Sequence, residues 1–449
     1  MRFHFCRSMF FSKQTGGVIL RKVIGRVSFL LVLMLVLGAC SSDNSSSEGS
    51  AGDGDSNGKK VTAWAWNINV PVLEEAAEKF KEENPDFELE VVELGREDVY
   101  SKLTTGLQAG GKGLPDIVLV EDDRIQGYME TFPDAFVNVS DKGFDESKES
   151  FPTYKIDLLS KDNAMYGFPF DGGPTGVFYR TDYFEKAGVN PDDIKTWDDF
   201  IEAGEKIKEA TGKAMLGLDL NGDDGLYRMM MTQQGTFYFD DEKNVNFTSE
   251  ESKMAAEKVQ MMKEAGLVKD TVGWDAWISA MAQGDVATAP SGAWLSGSIT
   301  QQAKDTEGNW GVFKLPAFEE DGNRAANLGG SNYVITSASK NQDMAYDFME
   351  FFTTSDDVQL TAMDNGLFPT LNTIYENDAF TKDVEFFSNQ PIWELFASEM
   401  NDIPSVNYTG NYALASDESI KAQSEVMNGK KSIEEAYKAA EDRLKNRIQ

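Results

Sequence analysis

The sequence predicts an α/β protein folded as two lobes, and three observations carry that prediction. The chain has 449 residues, too many for one ordinary core when a domain takes roughly 100–200. From Val61 to Val120, short apolar runs alternate with amphipathic stretches in the order strand, helix, strand, helix, strand, the pattern of a parallel sheet with crossovers. An alternation of the same kind resumes at Thr175, so a second α/β unit follows the first. No internal repeat of fixed period accompanies it.

The elements follow in order. Val61 to Ala65 reads as a buried strand, and Pro71 opens a helix with Val72, Leu73, Ala76, Ala77 and Phe80 on one face. Asn84-Pro85 stops that helix. Phe87, Leu89 and Val91 alternate with acids as a second strand, a helix spans about 97–108 until Gly110-Gly111, and Asp116 to Val120 forms a third, apolar strand. Further on, Thr175 to Tyr179 is a strand, Trp197 to Ala210 a helix, Met215 to Asp219 a strand and Ser249 to Ala265 a long helix. Ala287 to Ala289, Val312 to Leu315 and Tyr333 to Thr336 read as strands, and helices at about 341–352, 418–428 and 432–448 close the chain. In open α/β sheets, ligands sit beyond the carboxyl ends of the strands. Trp66 and Asn67 occupy that end of the first strand, and Glu121 to Arg124 that end of the third.

The N-terminus is expected to be processed. Arg2, Arg7, Lys13, Arg21, Lys22 and Arg26 precede the apolar run Val27 to Leu37 with no acid among them, which fits a signal peptide over residues 1–39 and falls short of the roughly 20 residues of a spanning helix. Leu37-Gly38-Ala39-Cys40 resembles a bacterial lipobox, making Cys40 the expected lipidated residue. A Ser/Gly/Asp tract over 40–58 then reads as a flexible tether that holds the body at the extracytoplasmic face of the cell membrane.

Loss of the signal leaves 36 Lys+Arg against 75 Asp+Glu, a net charge of −39. Such acidity argues against nucleic acid as a partner. The only histidine is His4 and the only cysteines are Cys6 and Cys40, so a processed body has no imidazole base, no disulfide and no thiolate or histidine metal site. Neither a metal nor another cofactor is expected.

Three stretches approach known motifs and fail. Gly106 to Gly113 has the spacing of a phosphate-binding loop but ends in Gly where Ser or Thr is needed, and it follows a helix. The runs from Asp53 and from Asp219 start like calcium loops, yet Trp64 and Met230 stand where a bidentate Glu belongs. Acid pairs such as Asp122/Asp123 or Asp223/Asp224 would suit a glycosidase, but among 75 acids adjacent pairs carry little information.

The aromatic residues carry more. All eight tryptophans lie in the body, and Trp64, Trp66, Trp274, Trp277, Trp294 and Trp393 fall in or near loops and element ends. A sugar presents an apolar face ringed by hydroxyls, so its site wants flat aromatics beside short polar groups. For any single tryptophan core packing is the commoner role. Trp64 is expected to anchor the strand, and Trp66 to form part of a cleft floor.

Together, PDIVLVEDDRIQGYM, YGFPFDGGPTGVFYRTDYFEKAGVNPDDIKTWDDF, MMKEAGLVKDTVGWDAWISAMAQGDVATAPSGAWLSGSI and WGVFKLPAFEEDGNRAANLGGSNYVITSASKNQDMAYDFMEFF, with the tail SEVMNGKKSIEEAYKAAEDRLKNRI, resemble in content and order the extracellular solute-binding protein family 1. These are the maltose-binding-protein-like receptors of ABC sugar importers. The resemblance implies the type II periplasmic-binding-protein fold: two α/β lobes, 59–171 with 325–371 and 172–324 with 372–449, joined by a multi-segment hinge around a ligand cleft. The crossings are expected near 170–173, 324–328 and 369–373. It further implies a monomer that binds a carbohydrate without chemistry and delivers it to membrane permease subunits. Asp123 and Arg124 resemble the family's hydroxyl-binding pair, and Trp294 its stacking aromatic. Trp393 and Tyr227 are candidate further stackers, Trp66 and Asn67 lie at the first-strand tip, and Asp171, Gly330 and Ser331 line the connectors. A receptor of the same fold for a non-sugar such as a polyamine, or an extracellular glycosidase, is the alternative reading.

Overall fold

Two five-stranded mixed sheets organise the computed structural model, which describes residues 60–448. The expected signal peptide (1–39), Cys40 and the tether lie outside the described residues. In chain order the strands are β1 (Lys60–Ala65), β2 (Glu88–Glu93), β3 (Ile117–Glu121), the short hairpin β4 (Ser160–Lys161) and β5 (Ala164–Met165), β6 (Phe168–Asp171), β7 (Thr175–Arg180), β8 (Ala214–Leu218), β9 (Val268–Asp270), β10 (Val286–Gly292), β11 (Trp310–Lys314) and β12 (Ser331–Ile335).

The first sheet has the order β2-β1-β3-β12-β6. β1 runs parallel to β2 and β3, whereas β12 returns antiparallel between β3 and β6. Ile117 to Val120 of β3 are all fully buried, as a strand covered on both faces must be. One cover is the helix Asn69–Phe80, which buries Val72, Leu73, Ala76, Ala77 and Phe80. The helix Gln342–Thr354 joins it from far along the chain, with Phe348 5.5 Å from the Phe80 ring and 5.0 Å from the Phe87 ring.

The second sheet has the order β11-β7-β10-β8-β9. β8 is parallel to β9 and β10, and β7 is antiparallel to β10 and β11. The helix Trp197–Thr211 starts on a capping box between Thr196 and Asp199 and buries Trp197 completely. The closing helices Tyr412–Met427 and Ile433–Arg447 pack on each other and on Glu250–Glu264.

Three connectors run between the sheets and bond to one another. Gly172 N donates to Phe368 O (2.7 Å), Leu328 N to Gly173 O (2.8 Å) and Thr370 N to Phe170 O (3.1 Å). Gly173 is required by this approach, because a Cβ there would lie 2.3 Å from Leu328 O. Away from the connectors, Gln126 Oε1 on the helix Asp122–Thr131 accepts from Tyr408 N (2.8 Å) and Thr409 N (3.2 Å). Glu130 of the same helix accepts from Gly410 N and from Lys243 Nζ.

The two indoles of the first strand are buried in the reverse of the expected order. Trp64 is half-buried, whereas Trp66 is only 7 % exposed and packs its ring 5.9 Å from Tyr100. Val61, Ala63 and Ala65 take the buried face of β1. Trp64 therefore points to the opposite face, and Trp66 turns inward where the strand ends.

Candidate functional site

β3 ends at Glu121 and the chain turns directly into the helix Asp122–Thr131, so three successive acids stand at a helix start, where the helix dipole favours negative charge. Each has a different environment. Glu121 accepts from Arg96 Nε (2.6 Å) and Tyr100 OH (2.9 Å), and burial together with the Asp123 charge raises its pKa. Asp122 is buried and accepts from Lys155 Nζ (2.6 Å), Asn332 Nδ2 (2.8 Å) and Asn327 Nδ2 (3.2 Å). Burial pushes its carboxyl above the ordinary range, and Lys155 opposes that push. Lys155 is itself fully buried and spends its other protons on Asp171 O and Ser331 O. Asp123 Oδ1 and Arg124 Nε have no hydrogen-bond partner among the described residues and lie 3.6 Å apart. The Arg124 guanidinium covers the Tyr100 ring at 5.3 Å.

These acids line one side of a cavity of about 60 Å³, room for a few waters. Asn327, Leu328, Gly329 and Gly330 of the second connector line it as well, with Arg228, Phe237 and Tyr408 from the second unit. Gly330 adopts φ +99°, and a Cβ there would lie 2.6 Å from Asp122 Oδ2. Arg228 is aimed by hydrogen bonds to Asp224 Oδ1 (3.0 Å), Asp223 Oδ1 (3.2 Å) and Tyr412 OH (3.0 Å). The cavity thus combines carboxylates, one guanidinium, amide groups and two aromatic rings, a set suited to a neutral, hydroxyl-rich solute.

Three indoles stand next to this cavity. Trp274, Trp277 and Trp294 lie 5.5, 5.9 and 6.5 Å apart, centroid to centroid. Trp294 Nε1 donates to Leu328 O (2.8 Å) and Trp277 Nε1 to Gly217 O (3.1 Å). Trp274 is 47 % exposed.

A family model for bacterial extracellular solute-binding proteins matches residues 75–388. The chain belongs to that family. Its members are binding proteins that act outside the cytoplasm. This solute-binding protein is 37 % identical to a lactose-binding protein of Rhizobium radiobacter over 399 residues, 87 % of this chain and 93 % of the relative. It is 28 % identical to an arabinooligosaccharide-binding protein of Bacillus subtilis (strain 168) over 335 residues, 72 % and 75 % of the two chains. Among solved structures, it resembles an ABC-transporter-associated binding protein of B. animalis subsp. lactis Bl-04 in complex with β-1,6-galactobiose. That likeness has a TM-score of 0.69 and 25 % identity, and covers 86 % of this chain and 97 % of that one.

The residues singled out in the sequence of this solute-binding protein fall into three groups. Asp123 and Gly330 line the cavity, Arg124 adjoins it, and Trp294 reaches it through Leu328. Trp66 and Asn67 remain at the tip of β1, Trp66 buried behind Tyr100 and Asn67 exposed at φ +50°. Ser331 contributes its carbonyl to Lys155, and Asp171 Oδ1 accepts from Phe368 N (2.8 Å), so both tie the connectors together. Burial pushes Asp171 up to about 7.

Two expectations need correction. Tyr227 is fully buried with its hydroxyl 2.7 Å from Ser252 Oγ, and so presents no ring face to a ligand. It lies on the inward face of the helix Gly225–Gln233, and its neighbour Arg228 faces the cavity instead. Trp393 packs on Phe368 (6.2 Å) and Phe396 (6.4 Å) and is absent from the cavity lining. Sequence reasoning passed over Arg228, Phe237 and Tyr408, which reach the site from segments carrying no motif, whereas Asn327 lies at the Gly-rich connector expected near 324–328.

Proposed function

We propose that this protein is the carbohydrate receptor of an ABC importer, anchored by lipid on Cys40 after removal of residues 1–39 and acting as a monomer without catalysis. The lobes are taken as 59–171 with 325–371 and 172–324 with 372–449, turning about the three connectors as a hinge. An open cleft admits the sugar, and closure brings Arg228, Phe237 and Tyr408 against Asp123 and Asn327 so that hydroxyls exchange water for fixed partners. Ligand then stabilises the closed form by its differential affinity, and the closed form is what the membrane permease recognises.

The observation that carries this reading is the cavity itself, lined jointly by both sheet units and a connector, with charged and amide groups facing inward and an indole cluster at its edge. The sugar-binding names of the relatives support it. An uncharged solute suits a cavity with acids on one wall and Arg228 on the other.

The test is tryptophan fluorescence and melting temperature of the purified protein against mono- and oligosaccharides, with polyamines as controls. A saturable response to one sugar class, weakened by about tenfold or more in Asp123→Asn through loss of a charge-assisted hydrogen bond, is expected. Silence across the sugars with a response to a polyamine would overturn the assignment.

A further inference from the structure

Arg228 is the only cation among the residues that line the cavity, and its charge is already matched. Its Nε–H goes to Asp224 Oδ1 (3.0 Å), an Nη2–H to Asp223 Oδ1 (3.2 Å) and an Nη1–H to Tyr412 OH (3.0 Å). Three of the five guanidinium N–H groups are thus committed, and two remain for a ligand. The two carboxylates do not count equally. Asp223 is more than half exposed, so water screens it, whereas Asp224 is 2 % exposed and acts on Arg228 through the protein interior. The other oxygen of Asp224 accepts from Tyr238 OH and from Ser419 Oγ (2.6 Å), which fixes the carboxylate in place. Asp224 stands at the head of the helix Gly225–Gln233, four residues before Arg228, and this spacing brings the pair together on one face.

The opposite wall offers an anion no compensation. Glu121 is held by Arg96, Asp122 by Lys155, and Asp123 lines the cavity with Arg124 Nε 3.6 Å away. An incoming carboxylate or phosphate meets acids on that side and, on the other, a guanidinium that two carboxylates have neutralised. We infer that Asp224, assisted by Asp223, is the specificity-determining residue of this receptor: it aims Arg228 at the cavity and cancels its charge, so that neutral sugars are bound and sugar acids and sugar phosphates are turned away. This inference rests on the carbohydrate reading above. The two uncommitted N–H groups of Arg228 serve sugar hydroxyls, while Asp224 itself touches no sugar and acts through Arg228. Selectivity then comes from a repulsive element built behind the cavity wall as much as from attraction. The acid pair Asp223/Asp224, uninformative as a mere adjacency in the sequence, acquires a role from its place beside the one cavity-lining cation.

The experiment compares the wild-type protein with Asp224→Asn, which keeps an oxygen for Arg228 Nε and turns its amide toward Tyr238 and Ser419, whose hydroxyls can accept. Calorimetry is run with galactose against galacturonate, lactose against lactobionate, and arabinose against arabinose 5-phosphate. In Asp224→Asn, affinity for the neutral sugar is expected to fall by about threefold as Arg228 loses its aim, and affinity for the anionic counterpart to rise by about tenfold or more. A merely structural role would weaken both ligands alike, and an unchanged ratio would overturn the inference, as would a wild type that binds the anion as tightly as the neutral sugar. Melting temperature with and without inorganic phosphate, at constant ionic strength, gives a readout that needs no sugar. Phosphate is expected to stabilise Asp224→Asn but neither the wild type nor Asp224→Asn combined with Arg228→Gln. Failure of the wild type to bind any sugar would remove the carbohydrate reading, while phosphate stabilisation confined to Asp224→Asn would still show the charge filter, and its absence would remove the filter. If Asp224→Asn does not fold, Asp223→Asn at its exposed position is expected to move the anion-to-neutral ratio in the same direction by a smaller factor, and no movement would overturn the inference.

Discussion

At the scale of single residues, two of the places where the molecule buries charged side chains have opposite outcomes. Lys155 and Asp122 form a closed set in which the ammonium has three acceptors and the carboxylate three side-chain donors. Lys155→Met strips the partner from a buried carboxylate and is expected to cost about 3–5 kcal/mol in urea unfolding, part of which Asp122→Asn in the same chain restores. Additive losses would contradict the pairing. Glu399 is the converse case. It is 1 % exposed, neither carboxylate oxygen has a hydrogen-bond partner among the described residues, and Lys314 Nζ comes only to 3.6 Å. Burial pushes it up to about 8 from an ordinary 4.5. The folded carboxyl then keeps its proton where the unfolded one has lost it, so its contribution to stability is full below the ordinary value and declines as pH rises toward 8. The melting temperature of the wild type is expected to fall relative to Glu399→Gln between pH 5 and 8, and a gap independent of pH would contradict this. Neither place was legible in the sequence, because burial of a lone Lys or Glu depends on which distant segments cover it. Asp123 was legible from its position at a strand tip, whereas Tyr227 was a site residue by resemblance only, and it is its chain neighbour Arg228 that faces the cavity.

At the scale of elements, strands and helices with a clean period were readable. The helix Asn69–Phe80, the strand Ile117–Glu121 and the helix Trp197–Thr211 lie close to their expected bounds. Elements whose burial comes from tertiary cover were not. The helix Asp122–Thr131 buries only Ile125 and Met129 among its apolar residues, and Gly225–Gln233 is buried almost all round, so neither presents an amphipathic stripe. The first of these helices matters for closure. Gln126 accepts two backbone N–H groups from the second unit, one of them from the cavity-lining Tyr408, and Gln126→Ala removes that contact although Gln126 itself does not line the cavity. With a hydrogen bond worth about 1 kcal/mol net, sugar affinity measured by calorimetry is expected to fall by about fivefold. Unchanged affinity would mean that this contact plays no part in the bound form.

At the scale of the whole molecule, the order of strands and helices along the chain announced two α/β units. Local sequence could not announce that β12 is inserted between β3 and β6, or that Tyr408 reaches the cavity from near the C-terminus. These depend on long-range pairing, and the resemblance to a family supplied what periodicity could not. The central claim is that two lobes close on a carbohydrate. Small-angle X-ray scattering of the purified protein, with and without a saturating amount of the sugar that calorimetry identifies, tests it most directly. The account predicts a smaller radius of gyration with sugar than without. Superimposable scattering curves under saturating ligand would contradict closure of the lobes on the sugar.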